Sequence, residues 1–493
     1  MSVLGIDLGT SGVRVVAYGS DGRELAAEAD RLTLRRPAPG RAELDAGELQ
    51  DAVEAAIRRI TGSGRLAADP VAALSFSVLG EAVAPVDGAG SPLAPAIVSM
   101  DERGASALAR FAMPASEYQA ITGQPLHPMF SAFKIAAEGG PWRTAVRYLC
   151  LGDYLTLQWT GEAVIDYGMA ARTGLFDVGR LAWSDDILAR FQEFAPWLDE
   201  AKLPRVGPSG QAVGTLLPTV AARLGLPATT VVALGTHDQA AALLGCGGAP
   251  GLRCCLSFGS SDCLTVATAS RPHGFEQTGL ASYPIDDATW VTLAGTAAGG
   301  WALDWFARLT GRDSVGEAFD ELSPEPPPLL VVPYLRGSGT LDNDPAATGT
   351  VHGITLDTTV PQLARAFVEA SGLEFARIAD AFASRGVQLG EIAVSGGGAA
   401  NLPALTARAN ALGRPLSIAP DNAAARGAAR LAARSIGLPE PVAPPGEAAS
   451  VRPEPEFASW YAAQRRNYLA LVEATGRLRP PMLTEPNTQG EQE

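Results

Sequence analysis

The first thirty residues alternate short apolar runs with turn chemistry. Residues 3–7, VLGID, are an apolar run ending in an acid, which predicts a buried strand. LGTSG makes a turn, and VRVVAY, from Val13 to Tyr18, predicts the returning strand. Ser20-Asp21-Gly22 turns the chain again into ELAAEADRL, a third strand. From Glu48 to Arg59 the apolar positions change to helical spacing, and Val71 to Ser77 predicts another strand. Between Glu102 and Leu198 helical stretches alternate with turns. One helix lies in LCLGDYLTLQWTG and another in residues 184–195, with Ser184 as its cap. Val213 to Leu226 reads as a strand and a small helix, and Thr229 to Leu234 as a strand.

The opening grammar then returns. LRCCLSFGSSDCLTVAT parallels VLGIDLGTSGVRVVAYG: a strand enters a Gly/Ser/Thr turn and a second strand leaves it. EIAVSGGGAANLPALTARANALG is strand, glycine turn, helix. Pro415 to Ile418 follows as a strand, and Ala423 to Ala433 as a helix of small residues. Two similar α/β halves with a cleft between them account for this repetition. Residues 438–450 read as an exposed connector, Phe457 to Thr475 as a final helix, and 479–493 as a frayed or disordered tail.

Composition narrows the picture. A chain of 493 residues is too long for one ordinary core, and 47% hydrophobic content fills two. The net charge of −15 argues against a nucleic-acid or anionic membrane surface. No apolar run is long enough to span a bilayer and the start has no basic, apolar leader, so a cytoplasmic protein is expected. Five cysteines, an odd number at no zinc-like spacing, read as reduced thiols. No GxxxxGK[ST] loop occurs, which argues against a Walker-type nucleotide site.

The turns and one acid carry the candidate chemistry. DLGTSGVR offers backbone N–H groups from Gly9 to Gly12, hydroxyls from Thr10 and Ser11, and the charge of Arg14. Asp7 is a candidate Mg²⁺ ligand beside a phosphate. The turn Gly259-Ser260-Ser261 echoes it, so two such turns can face each other across a polyphosphate. Gly397 and Gly398, in SGGGAAN, let a ligand lie against the backbone, and Asn401 either bonds to that ligand or caps its own helix. Asp238 follows a strand and opens a helix of small residues. It is either a helix N-terminal acid stabilised by the dipole or the base that takes a proton from an attacking hydroxyl.

In this order the pieces resemble the FGGY carbohydrate kinase family. GIDLGTSGVR is similar to its first phosphate motif and FGSSDC to its second. GTHDQAAALLGCG resembles the segment that carries its general-base aspartate, which corresponds to Asp238. GTAAGGWALDWF, opening on Gly295 and Thr296, and VSGGGAANLPALTARANALGRPL resemble its Gly-Gly/Trp segment and its adenosine motif. The likeness covers roughly residues 3–435, and the final helix also fits.

The resemblance implies two actin-like (ribonuclease H-like) ATPase domains around a deep catalytic cleft. The expected boundaries are 1–233 for the sugar side, 234–437 for the nucleotide side, and 438–478 for connector and last helix. It implies ATP, Mg²⁺ and a small polyhydroxylated substrate, and a homodimer is compatible with it. On the sugar side it points to Glu81 in SFSVLGEAVAPVD, to Asp101 and Arg103, and to Gln239. Lys134, Asp166 and Arg172 lie in further matching segments, the last two as readily structural as functional. Two departures stand out. Ser99 occupies the place of the family's sugar-side tryptophan, and Ser338-Gly339 replace a Glu-Arg pair after Gly337. The exact substrate stays open between a ketose and an acyclic polyol. A same-fold ATPase or a non-catalytic sugar or nucleotide sensor is the alternative, and an actin-like filament protein a more distant one.

Overall fold

The computed structural model describes residues 1–478 apart from 260, 276–277, 297–298, 321 and 443–448. The expected tail at 479–493 and the middle of the connector therefore lie outside the described residues, as does Ser260.

Two seven-stranded sheets organise the chain. The first runs in the order Ala212–Thr215, Val231–Ala233, Val71–Val78, Ser2–Leu8, Gly12–Gly19, Glu24–Arg31, with Thr236–His237 also pairing on Val71–Val78. Its opening three strands are the antiparallel meander expected from the turns. The Val71–Val78 strand joins Ser2–Leu8 in parallel. The second sheet repeats the plan: Arg253–Phe258 pairs antiparallel with Asp262–Thr268 and parallel with Glu391–Ser395. The duplicated grammar of the sequence is thus a duplicated sheet.

Small residues set how the halves meet. The helices Asp238–Gly245 and Ala423–Ser435 cross at glycines. A Cβ on Gly245 would stand 1.8 Å from the Ala423 carbonyl oxygen, and one on Gly5 1.7 Å from that of Ala425. The Ala-rich helix thereby lies directly on the first sheet, with Ala425, Ala429, Ala432 and Ala433 packed against Val3, Val16 and Ala73. Sheet pairing also continues past residue 233, because Thr236 and His237 align with Ser77 and Val78 of the first sheet.

Two helices differ from the sequence reading. The first spans Ala46–Gly62 and begins before the apolar periodicity does, because Asp45 accepts from the N–H groups of Gly47 and Glu48. The 24-residue helix Val360–Ala383 was not among the expected elements. Its signal is the reciprocal cap between Thr359 and Gln362, with Pro361 in the first turn. Among the described residues no helix is long and apolar enough to cross a membrane.

Candidate active site

The carboxyl ends of neighbouring parallel strands gather the acids. Asp7 lies opposite Ser77 on the parallel strand and opposite Arg14 across the hairpin. Ser77 Oγ donates to Asp7 Oδ1 at 2.7 Å. Thr236 is in register with Ser77 on the other side, and two residues later the chain places Asp238 at the start of its helix. A site outside the carboxyl ends of parallel strands follows directly from this topology.

These residues open onto a cavity of about 1010 Å³, lined among others by Asp7, Ser11, Arg14, Asp238, Gln239 and Ser395. Asp238 keeps 36% of its side chain exposed, at the head of a helix whose residues 240–245 are buried. Burial, with Asp7 and Glu81 nearby, raises its carboxyl to about 7. Burial also raises Asp7, against the pull of Ser77 and Arg14. Gln239 accepts from Ser257 Oγ at 3.1 Å, which links the first helix of the cleft to the second sheet. Arg14 donates to Asn422, at the head of the Ala-rich helix.

The first glycine turn is more selective than its sequence implies. The Gly9 N–H is spent on the Gly12 carbonyl at 2.9 Å. The hydroxyls of Thr10 and Ser11 make no hydrogen bond with a described residue, and Ser11 faces the cavity.

A second cavity of about 570 Å³ lies against the second sheet. Phe258, Gly259, Leu303, Phe319, Gly397, Gly398 and Asn401 contribute to its wall. The loop from Ser395 to Gly398 touches both cavities and so connects them. Gly396 has φ +87, and a Cβ there would stand 2.4 Å from the Phe258 carbonyl oxygen, so that position requires glycine. Arg408 stacks on the Phe258 ring at 4.1 Å and donates to the Gly398 carbonyl at 3.1 Å, holding the loop from beneath. Asn401 settles into the capping alternative for its oxygen, which accepts from the Ala404 N–H at 2.9 Å. Gly295 and Thr296 do not line this cavity, but Thr296 bonds to Asp262, which does. Their N–H groups are taken by Thr340 Oγ1 and by the Asp262 carbonyl, while the Thr296 hydroxyl is buried without a partner among the described residues. Ser261 is exposed on the turn between the strands.

On the sugar side the structure separates the expected residues. Glu81 is buried, has φ +63, and forms an ion pair with Arg172. Arg172 Nη1 donates to Gln124 Oε1 at 2.9 Å. Arg172 Nε and Gln124 Nε2 are buried donors with no hydrogen-bond partner among the described residues. None of Glu81, Gln124, Arg172, Asp101 and Arg103 lines either cavity. Asp101 has 0% side-chain exposure, and its oxygens are occupied by Arg103 and by the Ala42 N–H. Arg103 also pairs with Glu43 and Glu138. In this structure the two side chains bond to each other and to these neighbours. Sequence reasoning missed Asn422 and Tyr283, because nothing local distinguishes them.

The geometry fits the implied ligands. Asp7 Oδ2 takes no hydrogen bond from a described residue, and no three His, Cys, Asp or Glu side chains among those residues can cage a metal. One carboxylate beside phosphate is the arrangement Mg²⁺ accepts, with water and phosphate oxygens completing its shell.

Two like-built halves around an acid-lined cleft are the architecture of the two-domain, actin-like ATPases. Comparison with known proteins agrees. Models of the FGGY family of carbohydrate kinases match residues 2–245 (N-terminal domain) and 254–436 (C-terminal domain). The chain is 30% identical over 406 residues to a xylulose kinase of Escherichia coli K12, covering 80% of this chain and 82% of that one. It is 30% identical over 467 residues to a glycerol kinase of Bordetella parapertussis, covering 88% and 89%. A crystal structure of a xyloylose kinase from Brucella ovis superposes with a TM-score of 0.88 at 26% identity, over 96% of this chain and 99% of that one. The chain belongs to the FGGY family of carbohydrate kinases. It is a kinase that phosphorylates an alcohol group of a small sugar or polyol, with ATP as the donor.

Proposed function

We propose that Asp238 is the general base of this kinase and that its acceptor is a neutral ketose or acyclic polyol. The observation that carries the first part is the placement of Asp238 at a helix start, partly exposed, in one cavity with Asp7, Ser11 and Arg14. The acceptor hydroxyl gives its proton to the Asp238 carboxylate as its oxygen attacks the γ-phosphorus. The bond from that phosphorus to the bridging oxygen breaks, and ADP leaves. Thr10, Ser11 and Arg14 donate to phosphate oxygens from the first half. Gly259, Ser261 and the loop Gly397–Gly398 hold the nucleotide on the second, with Gly295 and Thr296 supporting that wall. Mg²⁺ at Asp7 would neutralise phosphate charge when bound. On this reading the first half holds the acceptor and the second the adenosine.

Charge supports a neutral acceptor. Arg172 is already paired with Glu81, and burial pulls Lys134 down to about 7. Asp7 and Asp238 add negative charge to the cleft. Beside Glu81 the Arg172 guanidinium is taken by that carboxylate, and the buried donors Arg172 Nε and Gln124 Nε2, without a hydrogen-bond partner among the described residues, suit hydroxyl oxygens. Relatives named for xylulose and for glycerol are consistent with this class.

The test is ATP- and Mg²⁺-dependent transfer across ketoses, aldoses, polyols and sugar acids, with product mass read directly and Asp238→Asn as control. One phosphorylated neutral substrate is expected. Preference for a sugar acid, or transfer undiminished in Asp238→Asn, rejects the corresponding part of the reading.

A further inference from the structure

His237 immediately precedes the proposed base, and its ring is held on both sides. Its Nε2 stands 3.2 Å from Asp238 Oδ1. Its Nδ1 stands 2.8 Å from the Tyr283 hydroxyl. Tyr283 belongs to the strand Ala281–Pro284 at the edge of the second sheet, so the contact crosses between the halves. That strand is docked firmly on the first half. The Ser282 N–H donates to the Gly123 carbonyl at 2.7 Å, and Gly123, at φ +67, has no room for a Cβ, which would stand 1.9 Å from the Ser282 carbonyl oxygen. Gly80 makes space for the imidazole: a Cβ there would stand 2.8 Å from His237 Nε2.

We propose that Tyr283 and His237 are positioning residues for Asp238, with the tyrosine hydroxyl selecting the imidazole tautomer that donates a hydrogen bond to the carboxylate. This rests on the reading of Asp238 as the base. A neutral imidazole carries one N–H and one lone pair. Burial and the nearby Arg172 hold His237 well below the usual histidine range, so it is neutral. Burial holds Tyr283 well above the usual phenol range, so its proton is available to donate. The phenol O–H satisfies Nδ1, which leaves the N–H on Nε2, the nitrogen 3.2 Å from Asp238 Oδ1. Across that distance the N–H restrains the carboxylate's rotation and leaves Oδ2 for the acceptor hydroxyl. The other charged groups acting on Asp238 are Asp7, Glu81 and Arg172. Among the described residues none of these lies within ion-pair distance of Asp238, whereas His237 does.

The function and the relay are tested apart. Only four histidines occur, so the His237 ring nitrogens can be assigned by ¹⁵N NMR against the His237→Gln variant. The expected result is the Nε2–H tautomer at neutral pH, lost or mixed in Tyr283→Phe. An Nδ1–H tautomer in the unmodified chain overturns the proposal whatever the enzyme phosphorylates. In turnover, Tyr283→Phe should lower kcat by about ten-fold, the scale of one lost hydrogen bond, with the KM for ATP within about two-fold. His237→Gln, which keeps a donor near that position, should retain more kcat than His237→Ala. Unchanged kcat in both Tyr283→Phe and His237→Ala overturns the proposal. Full activity in Asp238→Asn instead rejects the base assignment on which it stands.

Discussion

Gly427 faces Ala241 so closely that a Cβ on the glycine would stand 1.9 Å from the alanine's carbonyl oxygen. The contact lies where the helix that begins at Asp238 crosses the helix Ala423–Ser435. Backbone cannot yield as a flexible side chain can, so Gly427→Ala must push the helices apart. Overpacking of this kind costs about 1–3 kcal/mol, or more. The expected outcome is a lowered Tm together with a lowered kcat, because the helix that moves carries the proposed base. Thermal denaturation and turnover of the one variant check both; a Tm equal to that of the unmodified chain contradicts the packing argument.

Asp238→Asn should separate activity from stability. Losing a general base lowers turnover by about 10²–10⁴-fold. Stability moves the other way. The carboxyl is raised from 3.8 to about 7 in the folded chain, so between those values the folded state holds a proton that the unfolded state has released. Stability therefore falls as pH rises through this window, and above it the full penalty of a crowded, desolvated carboxylate remains. Asparagine removes that penalty. Because the cleft side of Asp238 is solvated, the gain is discounted to on the order of 1 kcal/mol. Denaturant unfolding at pH 8 should find the variant slightly more stable, and at pH 4 the difference should vanish.

The two glycines of the loop at 397–398 predict opposite failures. A Cβ on Gly397 meets nothing within 4 Å and points into open space beside the 570 Å³ cavity. Gly397→Val should fold with an unchanged Tm and raise the KM for ATP by about ten-fold or more, since the side chain occupies ligand space. A Cβ on Gly398 would stand 2.8 Å from Phe258 Cβ and 3.2 Å from Arg408 Nη1. Gly398→Ala should therefore lower the Tm first. Calorimetry with and without ATP distinguishes the two; equal behaviour of both variants would mean that the loop does not face the nucleotide as proposed.

The contrast between local and distant information explains what could be read in advance. Strand, glycine turn and strand are encoded within a dozen residues, so both meanders were legible from VLGIDLGTSGVRVVAY and LRCCLSFGSSDCLTVAT. Asp7 and Asp238 stood out because an acid ending an apolar run is a local anomaly. Partners far apart in sequence left no such mark. Ser257 reaches Gln239, Asn422 reaches Arg14, and Tyr283 reaches His237 only after the sheets assemble. Asp101 and Arg103 show the same limit. Their spacing matches a substrate motif, but the folded chain surrounds them with Ala42, Glu43 and Glu138, which the motif does not contain. Gly427 looked like one small residue among many in an alanine helix until its neighbour was known.

Lys134 offers a test on the sugar side that reads stability alone. Its side chain is fully buried, and Nζ donates to the Glu81 carbonyl at 3.1 Å. Burial lowers its pKa from 10.5 to about 7, although Glu81 and Asp101 pull the other way. Between those two values the unfolded chain binds a proton that the folded chain does not. Stability therefore rises with pH across the window, and below about pH 7 the cost of the buried lysine is fully present. Lys134→Met removes the titrating group while keeping most of its volume. The Glu81 carbonyl still accepts from Ser131 Oγ at 3.1 Å, so no buried acceptor is stranded. The variant should be the more stable protein at pH 7, and the unmodified chain should regain ground as the pH rises toward 10. The measurement is the Tm of both proteins at half-unit steps across that range, taken as a difference so that other titrating groups cancel. Parallel curves would mean that Lys134 stays charged in the folded state and that Glu81 and Asp101 outweigh its burial.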